Sequence, residues 1–476
     1  MFKWLGFGTS HALADPRKAR ARLAALSGNN PLETIEEMSD LIESISSLKL
    51  EARADICRLI DEHSQPYRRK LGNAYFSADG AQRKRISFAF HRFATLLGQA
   101  YLSCIKSYRS GEKGAEDVRK ALPLLICRAI NAIKSQYKWA HLHSGLIDPS
   151  IWKNLFWLFA FAEKIGLTRV ETALYPAQEH KTSILREFLK ALMIASSAPD
   201  ALSPWEFEIA NHIVSLVSGY FVLESDSTLP DLTHAVDLSS SNPPGRLKTP
   251  CPDEPSWRFF GPGKAYALVE QFVEKGLPME ITRGGAYSDE ATSKVLGHLL
   301  TQWSSRPLSR KSERRRVSLT FTITHRLDFA ETESWTSENV SDGGYDAVIQ
   351  ENHLEWEKIG QLFFSAHGNS RDLCIIRRLN RDDHKRWHAG VEILSRNMLP
   401  VELRREDSAV RAGLVRLDET AMEANIVAED KNFLPNSRYE IEFGGKKFAL
   451  IPLELLEKGF DFRLWRCRLM ARSDNG

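Results

Sequence analysis

The hydrophobic period of this chain changes once, near residue 317, and the change limits what each part can become. Before it, apolar residues recur every three or four positions. Phe90, Phe93, Leu97 and Tyr101 share one helical face, as do Leu122, Leu125, Ala129 and Ile133, and later Trp205, Ile209, Ile213 and Leu216. After it, Val317, Leu319, Phe321 and Ile323 alternate with Ser318, Thr320, Thr322 and Thr324, the pattern of a strand with one wet face. Strand-like runs follow at 345–349, 360–364, 373–379 and 389–394. Short strands separated by turns predict an antiparallel barrel or sandwich.

The expected class is therefore a multidomain α+β chain, and 476 residues are too many for one ordinary core. Residues 1–223 read as a helical domain, with helix starts at Ala121-Leu122-Pro123 and Ile147-Asp148-Pro149. The aromatic run Trp152, Phe156, Trp157, Phe159 and Phe161 reads as bundle core. Residues 224–256, rich in Ser, Asp, Thr and Pro, read as a linker. A helical pair is expected over 257–305. Its first stripe is Ala265, Leu268, Val269 and Phe272, ended by Gly276 and Pro278. Its second is Leu296, Leu299, Leu300 and Trp303, with Ser288 as N-cap. A β-barrel over 306–405 and a β-rich extension over 406–476 complete the chain. In the extension, Tyr439, Ile441 and Phe443 run into a Gly444-Gly445 hairpin turn, and Phe460, Phe462 and Leu464 alternate. No fixed-period repeat is evident.

Composition removes several function classes. The formal net charge of +3 creates no global field for nucleic acid or membranes, so no DNA partner is expected. The six cysteines at 57, 104, 127, 251, 374 and 467 lack metal or redox spacing and read as buried thiols suited to a reducing compartment. The most apolar segment, 155–162, is far shorter than a membrane helix, and residues 1–8 do not read as a signal peptide, so a soluble cytoplasmic protein is expected. Gly261-Pro262-Gly263-Lys264 fails as a phosphate loop, since Arg258 replaces the first glycine and Ala265 the Ser or Thr. His141, His143, His384 and His388 lack a zinc constellation and read as surface residues. With no catalytic motif set, the chain is not expected to be an enzyme, nor to carry a metal or cofactor.

Two segments carry the remaining chemistry. Ser309-Arg310-Lys311-Ser312-Glu313-Arg314-Arg315-Arg316 concentrates positive charge just before the first strand of the alternating region. Taken alone, such a segment reads as a solvated charge run, but arginine also forks onto phosphate and stacks on flat rings. Asn339-Val340-Ser341-Asp342-Gly343-Gly344 sets two short polar side chains on one side of an extended chain, before glycines that allow a tight turn. By itself it reads as a hairpin.

Together, in this order and between strands, the two resemble the PilZ family, whose signature is R-x-x-x-R before the first barrel strand and then (D/N)-x-S-x-x-G. Arg310 to Arg314 matches the first part and Asn339 to Gly344 the second; the resemblance spans about 306–400, with 390–393 similar to the family's closing strand. It implies a β-barrel receptor for cyclic di-GMP. Arg310 and Arg314, with Arg315 beside them, would hold phosphates and stack on guanine, Asn339 and Ser341 would bond the guanine edge or a phosphate, and Gly344 would keep the surface open. Arg306 and Arg310 also fit R-x-x-x-R, so the arginine register has two readings. The helical region would carry a protein partner, with outputs in motility, pili, adhesion or biofilm control all compatible. A barrel without ligand serving as a scaffold, or a single-strand nucleic-acid binder, are the competing functions.

Overall fold

The structure, a computed structural model, describes residues 16–26, 30–144, 147–176, 180–229, 231–248, 252, 254–277, 289–306, 315–328, 330–349, 359–368, 370–381, 386–405, 408–429, 433–434, 437–443, 445–458 and 461–471. It forms two compact units, one of residues 1–143, 147–199 and 204–308, the other of 144–146, 200–203 and 309–476.

The first unit opens with α1 (Pro16–Ala25), α2 (Pro31–Ser44), α3 (Leu50–Ser77), α4 (Gly80–Arg109), α5 (Ala115–Val118), α6 (Leu122–Ser144), α7 (Ser150–Lys164), α8 (Ile184–Ala195) and α9 (Pro204–Val217). Between α7 and α8 lies a short antiparallel pair, β1 (Thr172–Ala173) and β2 (Lys181–Thr182). Local sequence starts the helices. The side chains of Asn30, Asp79 and Ser183 accept the amides of Leu32, Gln82 and Arg186 at 3.0, 2.8 and 3.2 Å. Each such cap is worth about 1 kcal/mol.

The expected faces of α4 and α6 are buried, as are Trp152, Phe156 and Phe159. Three expectations shift. Trp157 and Phe161 are half-buried and stack on each other at 5.6 Å, with Lys106 and Arg109 over the indole. Leu216, read as a core position, is exposed. His141, read as a surface residue, is buried with Nε2 3.1 Å from the Pro199 carbonyl, and burial lowers its pKa to about 4. The described cysteines, 57, 104, 127, 374 and 467, are free and buried; Cys251 lies outside the described residues.

Two buried carboxylates tie the helices together. Asp61 of α3 accepts the hydroxyls of Tyr101 and Tyr175 at 3.1 Å each and pairs with Arg68 at 3.4 Å. Glu187 of α8 accepts Thr182 Oγ1 and Lys190 Nζ at 2.7 Å each, and Lys134 Nζ of α6 lies at 3.5 Å. Burial works to raise the Glu187 pKa, but the two lysines outweigh it and hold the carboxyl at about 2.

Residues 224–256 are not a linker. They contribute to a four-stranded antiparallel sheet, order β3-β6-β4-β5, of β3 (Val222–Glu224), β4 (His234–Asp237), β5 (Gly245–Arg246) and β6 (Trp257–Gly261). Its strands are too short to show a period, and its buried cluster needs just Leu232, Ala235 and Phe259. The helical pair, α10 (Ala265–Lys275) and α11 (Asp289–Trp303), joins the same unit. Trp303 Nε1 donates to Ser197 Oγ at 3.0 Å, and Arg246 donates to the carbonyls of Gln302, Ser304 and Arg306. Pro278 and Ser288 lie outside the described residues.

The second unit holds two closed six-stranded barrels. The first comprises β7 (Leu319–Thr324), β8 (Glu333–Ser341), β9 (Gly344–Ile349), β10 (Leu362–His367), β11 (Ser370–Arg381) and β12 (Trp387–Ser395). The second comprises β13 (Leu399–Arg405), β14 (Ser408–Asp418), β15 (Glu423–Glu429), β16 (Tyr439–Phe443), β17 (Lys446–Lys458) and β18 (Phe462–Ala471). Phe443 pairs with Lys446, as a two-residue turn requires, and Gly445 has φ 74°; Gly444 and Phe460 lie outside the described residues. The expected boundary at 405/406 cuts through this barrel, because β13 pairs with β14 and β16.

The two barrels have one topology. In each, the first strand pairs with the second and fourth, the third with the second and sixth, and the fifth with the fourth and sixth. The chain thus contains a repeat that its sequence does not show. A barrel position demands inward apolarity rather than a particular residue, so two copies can share pairing without sharing letters. Leu362, Phe364, Leu373 and Ile375 on the outside of the first barrel pack with Val415, Val427, Phe462 and Leu464 of the second, with Met398 in the same cluster. This explains why β10 opens on three consecutive apolar residues, Leu362, Phe363 and Phe364, since that part is buried on both faces.

Glu187 generates a test. Its depressed pKa stabilises the fold above the ordinary carboxylate value of 4.5, and the contribution is lost as pH falls toward about 2. Glu187→Gln is expected to lower the stability of the first unit by about 3–5 kcal/mol at neutral pH, because it strands two half-buried ammonium groups. Denaturant unfolding followed at pH 7 and pH 3 checks this: the variant's deficit should shrink at the lower pH.

Candidate functional site

The hairpin joining β8 to β9 places the polar motif on the outside of the first barrel. Trp335 and Ser337 of β8 are buried, and a bulge between Ser337 and Asn339 resets the alternation. Val340 then packs toward the core, as Tyr345, Ala347 and Ile349 of β9 do. Asn339 and Ser341 consequently face outward, opposite Asp346 and Gly344. Ser341 Oγ donates to the Gly344 carbonyl at 3.0 Å, which fixes the two-residue turn and leaves the hydroxyl able to accept. The Asn339 side-chain amide is half-buried and has no partner among the described residues.

The arginine run reaches the same hairpin. Arg315 N–H donates to the Val340 carbonyl at 2.7 Å, and Val340 N–H donates back at 3.0 Å. The backbone of Arg315 is thereby fixed against the residue lying between Asn339 and Ser341. The side chains of Arg315 and Arg316 are exposed and have no partner among the described residues. Arg310 and Arg314 lie outside the described residues. Arg306, the alternative first arginine, belongs to the first unit, and its carbonyl accepts from Arg246 at 3.0 Å.

Gly344 has a different reason for being glycine from the one expected. It is buried, and a Cβ there would lie 2.0 Å from the Val391 carbonyl oxygen of β12. What demands glycine is the close approach of β9 and β12, not an open surface.

Around the motif, the outer face includes residues that the motif search missed. Asp346 of β9 pairs with Arg378 at 3.1 Å, with His388 Nδ1 at 3.6 Å. Glu392 of β12 pairs with Arg377 at 2.6 Å. Arg396 donates to the Asp342 carbonyl at 2.9 Å, and the Ile393 amide to the Gly343 carbonyl at 2.9 Å, so both turn carbonyls are held. Alternation from Tyr345 could have placed Asp346 on this face, but strands β11 and β12 reach it through pairing alone.

The corresponding hairpin of the second barrel carries neither motif. That hairpin, between Asp418 and Glu423, reads Glu419-Thr420-Ala421-Met422, and the barrel's lead-in is Arg396-Asn397-Met398.

The helical region, which the barrel motif leaves unexplained, is the part with a relative. Residues 17–228 match the family described as the N-terminal domain of the cyclic-di-GMP receptor FimW. The match covers a little under half of the chain and ends within the small sheet of the first unit. Comparison with curated proteins finds no match. No described helix is long and apolar enough to cross a membrane.

The position of Gly344 is testable. Gly344→Ala forces a methyl group into the β12 backbone and is expected to destabilise the second unit by about 1–3 kcal/mol or more, seen as a lowered thermal midpoint. An unchanged midpoint would show that the two strands separate freely at this point.

Proposed function

We propose that this chain is a receptor for cyclic di-GMP that acts by binding rather than catalysis, with its ligand site on the β8–β9 face of the first barrel. The observation that carries this reading is the paired backbone of Arg315 and Val340, which brings Arg315 beside Asn339 and Ser341. The match of residues 17–228 to the N-terminal domain of a protein described as a cyclic-di-GMP receptor supports it independently, since it involves none of the barrel residues.

In this reading Arg310 and Arg314 hold the phosphates and stack on guanine, and Arg315 adds charge from the position where it is anchored. The side-chain amide of Asn339 and the accepting lone pairs of Ser341 meet the guanine edge or a phosphate. A ligand with two phosphates and two purines calls for this combination of cations, planar stackers and short polar groups. A hydrogen bond to a charged group is worth about 1.5–3 kcal/mol, or roughly tenfold to a hundredfold in affinity.

Calorimetric titration with cyclic di-GMP is the direct test. Wild type should bind, and Arg314→Ala and Ser341→Ala should each weaken binding at least tenfold. Normal binding by both variants would place the site elsewhere. An absence of heat from wild type at tens of micromolar ligand would favour the scaffold reading.

The arginine run begins at Ser309, where the chain passes from the first unit into the second for the last time. Ligand held by that run would couple binding to the arrangement of the units, provided the two arrangements differ in affinity. Amide hydrogen exchange across residues 304–316 should slow on saturation with cyclic di-GMP; unchanged exchange there would remove the coupling.

A further inference from the structure

The first unit contains a second concentration of positive charge, remote in sequence from the barrel motif. A cleft of about 1140 Å³ opens among α3, α6, α8, α9 and the β1–β2 pair. Six cationic side chains line it, from Arg68, Arg69, Lys134, Lys181, Arg186 and Lys190, against the carboxylates of Glu171 and Glu187. In a chain whose formal charge is +3 overall, such an excess within one cleft is not a general property of the surface.

The pairing inside the cleft leaves charge over. Lys134 and Lys190 share the single carboxylate of Glu187. Burial first, and then repulsion from Lys190 and Lys138, outweigh the attraction of Glu187 and hold the Lys134 ammonium below its usual range. Arg186 donates to the Lys181 carbonyl at 2.9 Å and has no carboxylate partner among the described residues. The side chains of Arg69 and Lys181 have no partner among the described residues. Like charges gathered without counter-charges repel one another, and an anion in the cleft relieves that repulsion.

The cleft also offers a flat apolar edge. Tyr220 is 50% exposed at its rim, and Leu216, the α9 residue that leaves the core, is 43% exposed beside it. The Asn211 side-chain amide lines the wall without a partner among the described residues. Arginine forks suit phosphate, an exposed aromatic ring suits a base, and an amide suits the base edge or a sugar hydroxyl. The volume lies at the upper end of small-molecule sites, which run to roughly 1,000 Å³.

We infer that this cleft is a binding site for a phosphate-bearing nucleotide, separate from the barrel site, with Arg69, Lys181 and Arg186 on the phosphates and Tyr220 against the base. The acidic tail of a protein is the other anion that such a cleft could attract. The ring of Tyr220, lining the same cleft as the arginines and lysines, favours the nucleotide.

The experiment is calorimetric titration of the full chain with ATP, with inorganic pyrophosphate and with a polyglutamate peptide. ATP should bind more tightly than pyrophosphate, and polyglutamate should compete poorly. The exposed double substitution Arg69→Glu with Lys181→Glu should weaken both ATP and pyrophosphate at least tenfold. Tyr220→Ala should weaken ATP while leaving pyrophosphate unchanged, a split that a general loss of folding would not produce. Asn339→Ala should leave ATP binding intact, so failure here is distinguishable from failure of the barrel site. No heat with ATP at about 1 mM, a level that detects Kd values up to roughly 1 mM, would overturn the inference. So would unaltered binding by the double variant, or polyglutamate binding where ATP does not.

Discussion

Closure of the first barrel is the constraint on which the candidate site depends. Once β7 pairs with both β8 and β10, the sheet has no free edge, and every side chain on its strands must face either the packed interior or the outside. Trp335, Tyr345, Ala347 and Val391 take the inside. The single bulge after Ser337 then decides which residues of the motif face out. Without it, Val340 would face outward in place of Asn339 and Ser341, and the polar motif would point into an apolar core.

The same closure explains the glycine. Strands β9 and β12 are forced together where Gly344 meets the Val391 carbonyl, and a side chain of any size is excluded there. The residue that most resembles a ligand-contact position in the motif is thus accounted for by backbone geometry. Asn339 is the contrasting case: its amide has no partner among the described residues, as suits a binding group more than a structural one.

Tandem repetition puts this site in context. Two barrels of one topology share an apolar seam through β10 and β11 of the first and β14, β15 and β18 of the second. One copy carries the arginine lead-in and the polar hairpin; the corresponding hairpin of the other does not. The seam uses outward faces of the first barrel that are distinct from the motif-bearing face of β8 and β9, so packing and ligand recognition occupy different sides of one barrel.

From the sequence came the periods, and with them the helical region, the strands of the first barrel other than β8, and the two motif segments, because side-chain burial in one helix or one strand repeats over a few residues. The sheet hidden in 224–256 was not legible, since its two- to five-residue strands carry no period and its loops have a linker's composition. Nor was the true start of the second barrel at Leu399, or its likeness to the first, since pairing partners far apart in the chain leave no local mark. Arg315, Asn339 and Ser341 could be nominated from their types and spacing; that Arg315 is fixed by its backbone to Val340 was decided by the barrel alone. The basic cleft is the extreme case. Its cations come from α3, α6, α8 and the β1–β2 pair, each unremarkable within its own segment, and tertiary packing is what makes them neighbours.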